Sequence, residues 1–222
     1  LKKCKVLKNH HLKHKGVLSV LGVLVFVITV STSVYGFYHA SQLKTKEYEA
    51  TILKNAGTLK ECKIVLIADT HMGYSVGDKR IQRMVEMVNQ QNPDLIVFAG
   101  DIFDNTVEGI DDVSAVKQSL KSMKSTYGVY ACWGNHDIAE RLFTGFSVVK
   151  EEEEKRSKEM SEFVSECGIT MLEDQVVQVA DSFYLVGRKD YEKAGDGTNN
   201  REKLSALMKQ VDKNKPVFVI DH

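Results

Sequence analysis

Residues 63–71 read Lys-Ile-Val-Leu-Ile-Ala-Asp-Thr-His, an apolar β-rich run that stops on a carboxylate, a hydroxyl and an imidazole. Such a run predicts a buried strand, and its polar end predicts that the strand delivers chemistry where it stops. The pattern returns twice. Asp94–Ala99 (DLIVFA) is followed by Gly100-Asp101-Ile102-Phe103-Asp104-Asn105, and the strand predicted over Tyr127–Cys132 is followed, after Trp133, by Gly134-Asn135-His136-Asp137. Between the runs, Asp78–Gln91 places Ile81, Met84, Val85 and Val88 at helical spacing, and Asp112–Lys124 also reads as helix. Strand, helix, strand, helix, strand predicts an α/β domain with a largely parallel central sheet.

In open sheets of this kind the ligand crevice lies at the carboxyl ends of the strands, so the three polar clusters are expected on one edge. Their donors are carboxylate, imidazole and amide, with no thiolate, a mixture that suits Mn, Fe or Zn in a catalytic rather than a structural site. In Asp69-x-His71 an extended backbone would send both side chains to one side, where they can grip one ion. A carboxylate such as Asp101 can bridge two ions, and two cations roughly 3.5–4 Å apart can hold a hydroxide and clamp phosphate oxygens. A histidine left over can protonate a leaving group. Taken singly, each cluster also reads as surface polarity, a capped turn or a tight turn. Three in order, each after an apolar run, favour the shared site.

These residues resemble the motif blocks of the calcineurin-like metallophosphoesterases: D-x-H (Asp69, His71), G-D-x-x-D (Gly100–Asp104) and G-N-H-D (Gly134–Asp137). The closest likeness is to the membrane-anchored bacterial branch, and it covers roughly residues 60–222. The resemblance implies a two-sheet sandwich flanked by helices and a dinuclear centre of divalent ions (Mn, Fe or Zn). It places Asp69, His71 and Asp101 on the first metal, with Asp101 bridging, and Asn135 on the second. His136 then stands near the leaving group, oriented by Asp137, while Asp104 is structural or supporting. The last run, Pro216–His222 (PVFVIDH), matches a strand ending in histidine, which makes His222 a second-metal ligand. The implied reaction is in-line attack on phosphorus by a hydroxide held between the ions. Phosphomonoesters, phosphodiesters and pyrophosphates all remain candidates, with a phosphorylated small molecule or lipid as partner and a lipid-linked or nucleotide-sugar substrate suggested by the anchor. The family's next block, G-H-x-H, is absent, so the chain is expected to be a fragment or truncated frame with the last strands missing. An inactive membrane protein with a partial metal or phosphoryl site, or a purely structural membrane protein, is the rival reading.

The amino-terminal part differs in character. Residues 1–15 carry Lys2, Lys3, Lys5, Lys8, Lys13 and Lys15 with no acid, and no charged side chain follows from Gly16 to Leu43. About twenty apolar residues suffice to span a bilayer. Tyr35, Phe37 and Tyr38 sit where interfacial aromatics are expected, and the lysines should stay in the cytoplasm. The expected organisation is a basic cytoplasmic segment (1–15), one transmembrane helix (16–40), a juxtamembrane linker or edge strand (41–59) and a phosphoesterase domain (60–222), extracytoplasmic on a single-pass anchor in the cell membrane. A signal peptide or a buried core helix is the alternative for the apolar stretch.

Lys+Arg and Asp+Glu are 30 each in 222 residues, so net charge suggests no polyanion, and no basic stripe with aromatics suggests nucleic acid. No phosphate-binding G-x-x-x-x-G-K-[ST] or nucleophile-elbow G-x-S-x-G is present. Cys4, Cys62, Cys132 and Cys167 form no C-x-x-C pair; Cys132 reads as core, and a Cys62–Cys167 disulfide is possible by count alone. Further on, 150–167 reads as a charged helix with pairs Glu151–Lys155, Glu152–Arg156 and Glu154–Lys158. Residues 169–172, 175–179 and 183–186 read as a meander, and 199–209 as a short helix.

Overall fold

The computed structural model describes residues 2–104, 106–137, 142–143, 146–147, 150–191 and 201–222, with side chains left undescribed at 2–15, 142–147 and 150–157. The chain divides into two compact units, Leu1–Glu47 and Tyr48–His222. The first unit is one helix, α1 (Lys2–Ala40), and its stretch Gly16–Ala40 is long and apolar enough to cross a membrane. None of these residues is buried, the reverse of a core helix. Thr29 and Thr32 donate their hydroxyls to the carbonyls of Val25 and Ile28, at 2.9 and 2.8 Å, so these two polar groups are satisfied within the helix.

In the second unit, β1 (Ile64–Ile67), α2 (Asp78–Gln90), β2 (Leu95–Ala99), α3 (Val113–Lys121) and β3 (Val129–Cys132) follow the predicted alternation. Then come the short β4 (Leu142–Phe143) and β5 (Phe146–Ser147), α4 (Lys150–Glu166), β6 (Ile169–Met171), β7 (Gln175–Val179), β8 (Phe183–Gly187), α5 (Leu204–Leu207) and β9 (Val217–Ile220). The first sheet has the order β1-β2-β3-β6, all parallel, with Ile64 opposite Leu95, Ile96 opposite Val129 and Val129 opposite Ile169. A parallel sheet needs both faces covered, and β2 is accordingly apolar on both, with Leu95, Ile96, Val97 and Phe98 all buried.

One face packs Ile96 and Phe98 against Ile81, Val85 and Val88 of α2, Val116 and Leu120 of α3, and Met160, Phe163 and Val164 of α4. The other packs Leu95, Val97 and Cys132 against Val179, Phe183, Leu185 and Ile220 of a second sheet, β7-β8-β9. The outer face of that sheet is covered in part by Leu207 and Val211. The result is the expected α/β sandwich of two sheets flanked by helices.

Local signals set the ends. α2 stops before Pro93, with Asn92 in the left-handed region (φ 48°), and Asp112 caps α3 by accepting from the Ala115 amide at 2.9 Å. The Asp94 carboxylate accepts from the Lys63 amide at 2.7 Å and fastens the start of β1 to β2.

Three expectations change. β6 does not join a meander; it extends the first sheet beside β3, because α4 returns the chain parallel to it. Of the three strands expected to meander, β7 and β8 alone pair antiparallel, and β9 joins β8 in parallel after a crossover through α5. Residues 44–59 form no edge strand, since they pair with neither sheet. Cys62 and Cys167 are free thiols in cores on opposite faces of the first sheet, so they form no disulfide. The three Glu–Lys/Arg pairs expected along α4, and the first part of the helix expected over 199–209, lie outside the described side chains and residues.

Phe163 is 1% exposed and meets Phe103 edge to face with ring centroids 5.3 Å apart. Phe163→Ala is expected to cost about 3–5 kcal/mol in denaturant unfolding; a loss below about 1 kcal/mol would contradict this packing.

Candidate metal centre

The three loops that leave β1, β2 and β3 are laced together by their own backbone. The Asp69, His71 and Met72 amides donate to the Gly100, Asp101 and Ile102 carbonyls at 3.2, 3.0 and 2.9 Å, and Asp104 returns a bond to the Met72 carbonyl at 3.0 Å. The ladder continues beyond the strands, but not in extended form: Asp69, His71 and Asp101 have φ of 54°, 43° and 50°. The expectation that Asp69 and His71 project together from an extended segment is therefore corrected. Non-glycine residues rarely adopt this region, and here three occur at one spot, each held by neighbouring bonds.

Asp101 is buried at 3% exposure. Its Oδ1 accepts from the His136 amide at 2.8 Å, which binds the β3 loop to the β2 loop. Its Oδ2 lies 3.5 Å from Nε2 of His71 and 3.5 Å from Nε2 of His222. His222 reaches this point from the second sheet, two residues past the end of β9, and its Nε2 is also 3.6 Å from Asp69 Oδ1. These gaps are long for hydrogen bonds. They match the spacing of about 3.4 Å that two ligands take on one tetrahedral ion with bonds of about 2.1 Å.

Two groups of ligand atoms emerge, each with its atoms within 4.8 Å of one another: Asp69, Asp101 and His222, and His71, Asp104 and His136. Asp101 Oδ2 faces a histidine of each. The oxygen and imidazole donors fit divalent cations, and carboxylates packed this closely call for positive charge among them. Asn135 is half-buried on the turn between Gly134 and His136, and the described geometry ties its side chain to neither group.

Asp137 has different work from that expected. Its two oxygens accept from the Phe103 and Gly134 amides at 2.7 and 2.8 Å, so it braces the β2 and β3 loops. The carboxylate grouped with the His136 ring is Asp104, and that ring stands edge-on to His71 with centroids 5.1 Å apart. The signal for Asp104 was its place in G-D-x-x-D; which histidine it meets depends on how the loops cross. Asp190, 5% exposed, was not anticipated at all: its Oδ2 is 3.4 Å from His222 Nδ1.

Glycine is required at two positions. Gly100 has φ 81°, and a Cβ there would stand 2.5 Å from the His222 ring. A Cβ on Gly134 would stand 2.2 Å from Asp101 Oδ1.

Residues 62–222 match the family model described as calcineurin-like phosphoesterase. The chain belongs to this family. A zebrafish (Danio rerio) transmembrane protein with metallophosphoesterase domain is 37% identical over 116 residues, covering 52% of this chain and 26% of the relative. A metallophosphoesterase of Helicobacter pylori strain J99 is 25% identical over 213 residues, 95% of this chain and 51% of the relative. The UDP-2,3-diacylglucosamine pyrophosphatase LpxG of Chlamydia muridarum is 30% identical over 97 residues, 44% of this chain and 29% of the relative. The chain thus spans between 26% and 51% of the length of these relatives. It carries a metallophosphoesterase domain, preceded in the chain by a helix, Gly16–Ala40, long and apolar enough to cross a membrane.

Burial pushes the Asp137 carboxyl up to about 7, against the lowering effect of the Gly134 and Phe103 amides, with the Asp101 charge adding to the rise. Burial pulls His222 down, but the carboxylates of Asp101, Asp190 and Asp69 outweigh it and raise the imidazole above its ordinary value. Both groups bind protons more tightly folded than unfolded. Their contributions are complete at low pH and are lost as pH rises, for Asp137 between about 4 and about 7. Metal-free protein is therefore expected to lose stability from pH 5 to pH 8, by about 3 kcal/mol from Asp137. Asp137→Asn should flatten that slope while lowering stability at pH 5, because one backbone amide loses its acceptor. Urea midpoints against pH check this, and an unaltered slope in the variant would refute it. Gly100→Ala should displace His222, and a variant binding Mn²⁺ as tightly as the parent would contradict that contact.

Proposed function

We propose that this protein is a membrane-anchored, metal-dependent phosphoesterase with two divalent ions (Mn, Fe or Zn) held by Asp69, His71, Asp101, Asn135 and His222. The observation that carries the reading is the placement of Asp101, whose buried Oδ2 faces the imidazoles of His71 and His222 from two different sheets. A carboxylate in that position is suited to be shared between two ions. When bound, the ions would supply Lewis-acid polarisation of phosphoryl oxygens.

The chain's own residues do the rest. His136 stands at the edge of the cluster and donates a proton to the departing oxygen. Asp104 belongs to the same group, with a carboxylate oxygen within 4.8 Å of the His136 ring nitrogen. Asp137 holds the loop that carries His136, through the Gly134 amide. The buried floor of Ile102, Phe103 and Trp133 keeps water away from the back of the site.

The substrate is a phosphate ester or pyrophosphate, and a lipid-linked or nucleotide-sugar pyrophosphate is favoured by two features: the apolar helix, and partial similarity to a pyrophosphatase whose name specifies UDP-2,3-diacylglucosamine. No nucleic-acid partner is proposed. The organisation is a basic cytoplasmic segment (1–15), one transmembrane helix (16–40), a linker (41–59) and a catalytic domain (60–222) on the extracytoplasmic side, with the lysines before residue 16 as the orienting charge.

Turnover of bis-p-nitrophenyl phosphate and of a UDP-sugar by the protein in detergent, with Mn²⁺, tests the activity. Chelator and Asp101→Asn should each abolish it; metal-independent turnover surviving in the variant would sink the proposal. His136→Ala should lower kcat by about 10²–10⁴ on alkyl esters with poor leaving groups. It should do much less on p-nitrophenolate, which leaves without a proton; equal losses on both would remove the acid role. Protease added outside intact spheroplasts should digest the domain, and protection until permeabilisation would reverse the orientation.

A further inference from the structure

His222 has two ring nitrogens in two different surroundings. Nε2 faces the carboxylates of Asp69 and Asp101 at 3.6 and 3.5 Å. Nδ1 faces Oδ2 of Asp190 at 3.4 Å. Asp190 is one of four polar or charged residues buried among the described residues, with 5% exposure, and the His222 side chain is itself mostly covered. Sequence distance gave no hint of the pair, which is separated by 32 positions.

The fold brings the two residues together by register. β8 and β9 run in parallel with Gly187 opposite Ile220, so Asp190 and His222 leave the carboxyl ends of adjacent strands. The Arg188 amide donates to the Ile220 carbonyl at 3.0 Å, and the Arg188 guanidinium pairs with Asp221 at 2.8 Å. Arg201 pairs with the other oxygen of Asp221. On the far side, the Asp174 carboxylate accepts from the Lys189 amide at 3.2 Å. The backbone on both sides of the Asp190–His222 contact is thereby held.

We propose that Asp190 is a positioning residue for the metal centre: it takes the Nδ1 proton of His222 as a hydrogen bond and leaves Nε2 bare and aimed at Asp69 and Asp101. A neutral imidazole carries one proton on one of two nitrogens, and only the bare nitrogen can ligate. A carboxylate accepts and cannot donate, so Asp190 selects the Nδ1–H form and fixes the ring plane. Partners of this kind influence affinity by about 10–100-fold. The inference rests on the reading of His222 as a ligand.

The test uses the full 222-residue chain in detergent, parent and Asp190→Asn, a near-isosteric change. In metal-free ¹⁵N-labelled protein, at a pH where the ring is neutral, parent His222 should show Nδ1 protonated and Nε2 bare. Asp190→Asn should move the proton toward Nε2, because its amide can donate to Nδ1. Mn²⁺ affinity by calorimetry should fall about 10–100-fold while the metal-free melting curve stays close to the parent's. An unchanged tautomer with unchanged affinity overturns the inference. So does an affinity loss that merely tracks loss of folding with the parent tautomer retained. His222→Ala separates the two levels. If it binds Mn²⁺ as the parent does, the ligand reading falls and this inference with it. If it loses affinity while Asp190→Asn does not, only the role of Asp190 falls.

Discussion

A carboxylate at 3% exposure, Asp101, is the constraint on which the rest of this domain turns. Burying a charge is costly unless partners surround it. One oxygen is satisfied by the His136 amide, which obliges the loop after β3 to lie against the loop after β2. The other is left facing two imidazoles across gaps too long for strong hydrogen bonds. The neighbouring sequence follows from this. Gly134 has no side chain because a Cβ would collide with Asp101, and Gly100 turns with φ 81° where the His222 ring lies. Left-handed backbone at Asp69, His71 and Asp101 is tolerated because the ladder of amides between the two loops over-determines it.

The second sheet has a function beyond covering apolar surface. Phe183, Leu185 and Ile220 bury the inner face of the first sheet. The same packing brings the end of β9 over the ends of β1 and β2, so His222 meets Asp69 and Asp101. Stability and site geometry are therefore coupled: the core that holds the sheets face to face also sets the distance between the donors they carry. The Arg188–Asp221–Arg201 cluster fastens the two strand ends beside that point.

Much of this was readable in the chain. The alternation of strand and helix from Ile64 to Cys132 follows from apolar runs and one amphipathic spacing, which are local properties. Asp69, His71, Asp101, Asn135, His136 and Asp137 could be picked out because each follows an apolar run, and the carboxyl ends of parallel strands lie on one edge. Apart from the backbone at Asp69 and His71, which is left-handed where an extended segment was expected, the misreadings concern pairing at a distance. The strand over Ile169–Met171 is as short and apolar as its successors, and nothing local says that it belongs beside β3. Asp137 and Asp104 are both motif carboxylates, three residues after Gly134 and four after Gly100. Which one braces backbone and which one meets His136 is decided by how two loops cross. Asp190 lies outside every motif and becomes visible only when β8 and β9 are paired.

What the sequence by itself determined is the inventory: an apolar amino-terminal helix, a parallel α/β core, and acidic and imidazole groups at the strand ends. These depend on residue type and on periods of two or a few residues along the chain. What only the tertiary structure decided is the grouping of those donors: His222 with Asp69 and Asp101, His71 with Asp104 and His136, Asp190 behind His222. The physical reason is that a metal-sized cluster needs atoms within a few ångströms. Only the register between strands and the packing between sheets can bring residues from positions 69 to 222 that close.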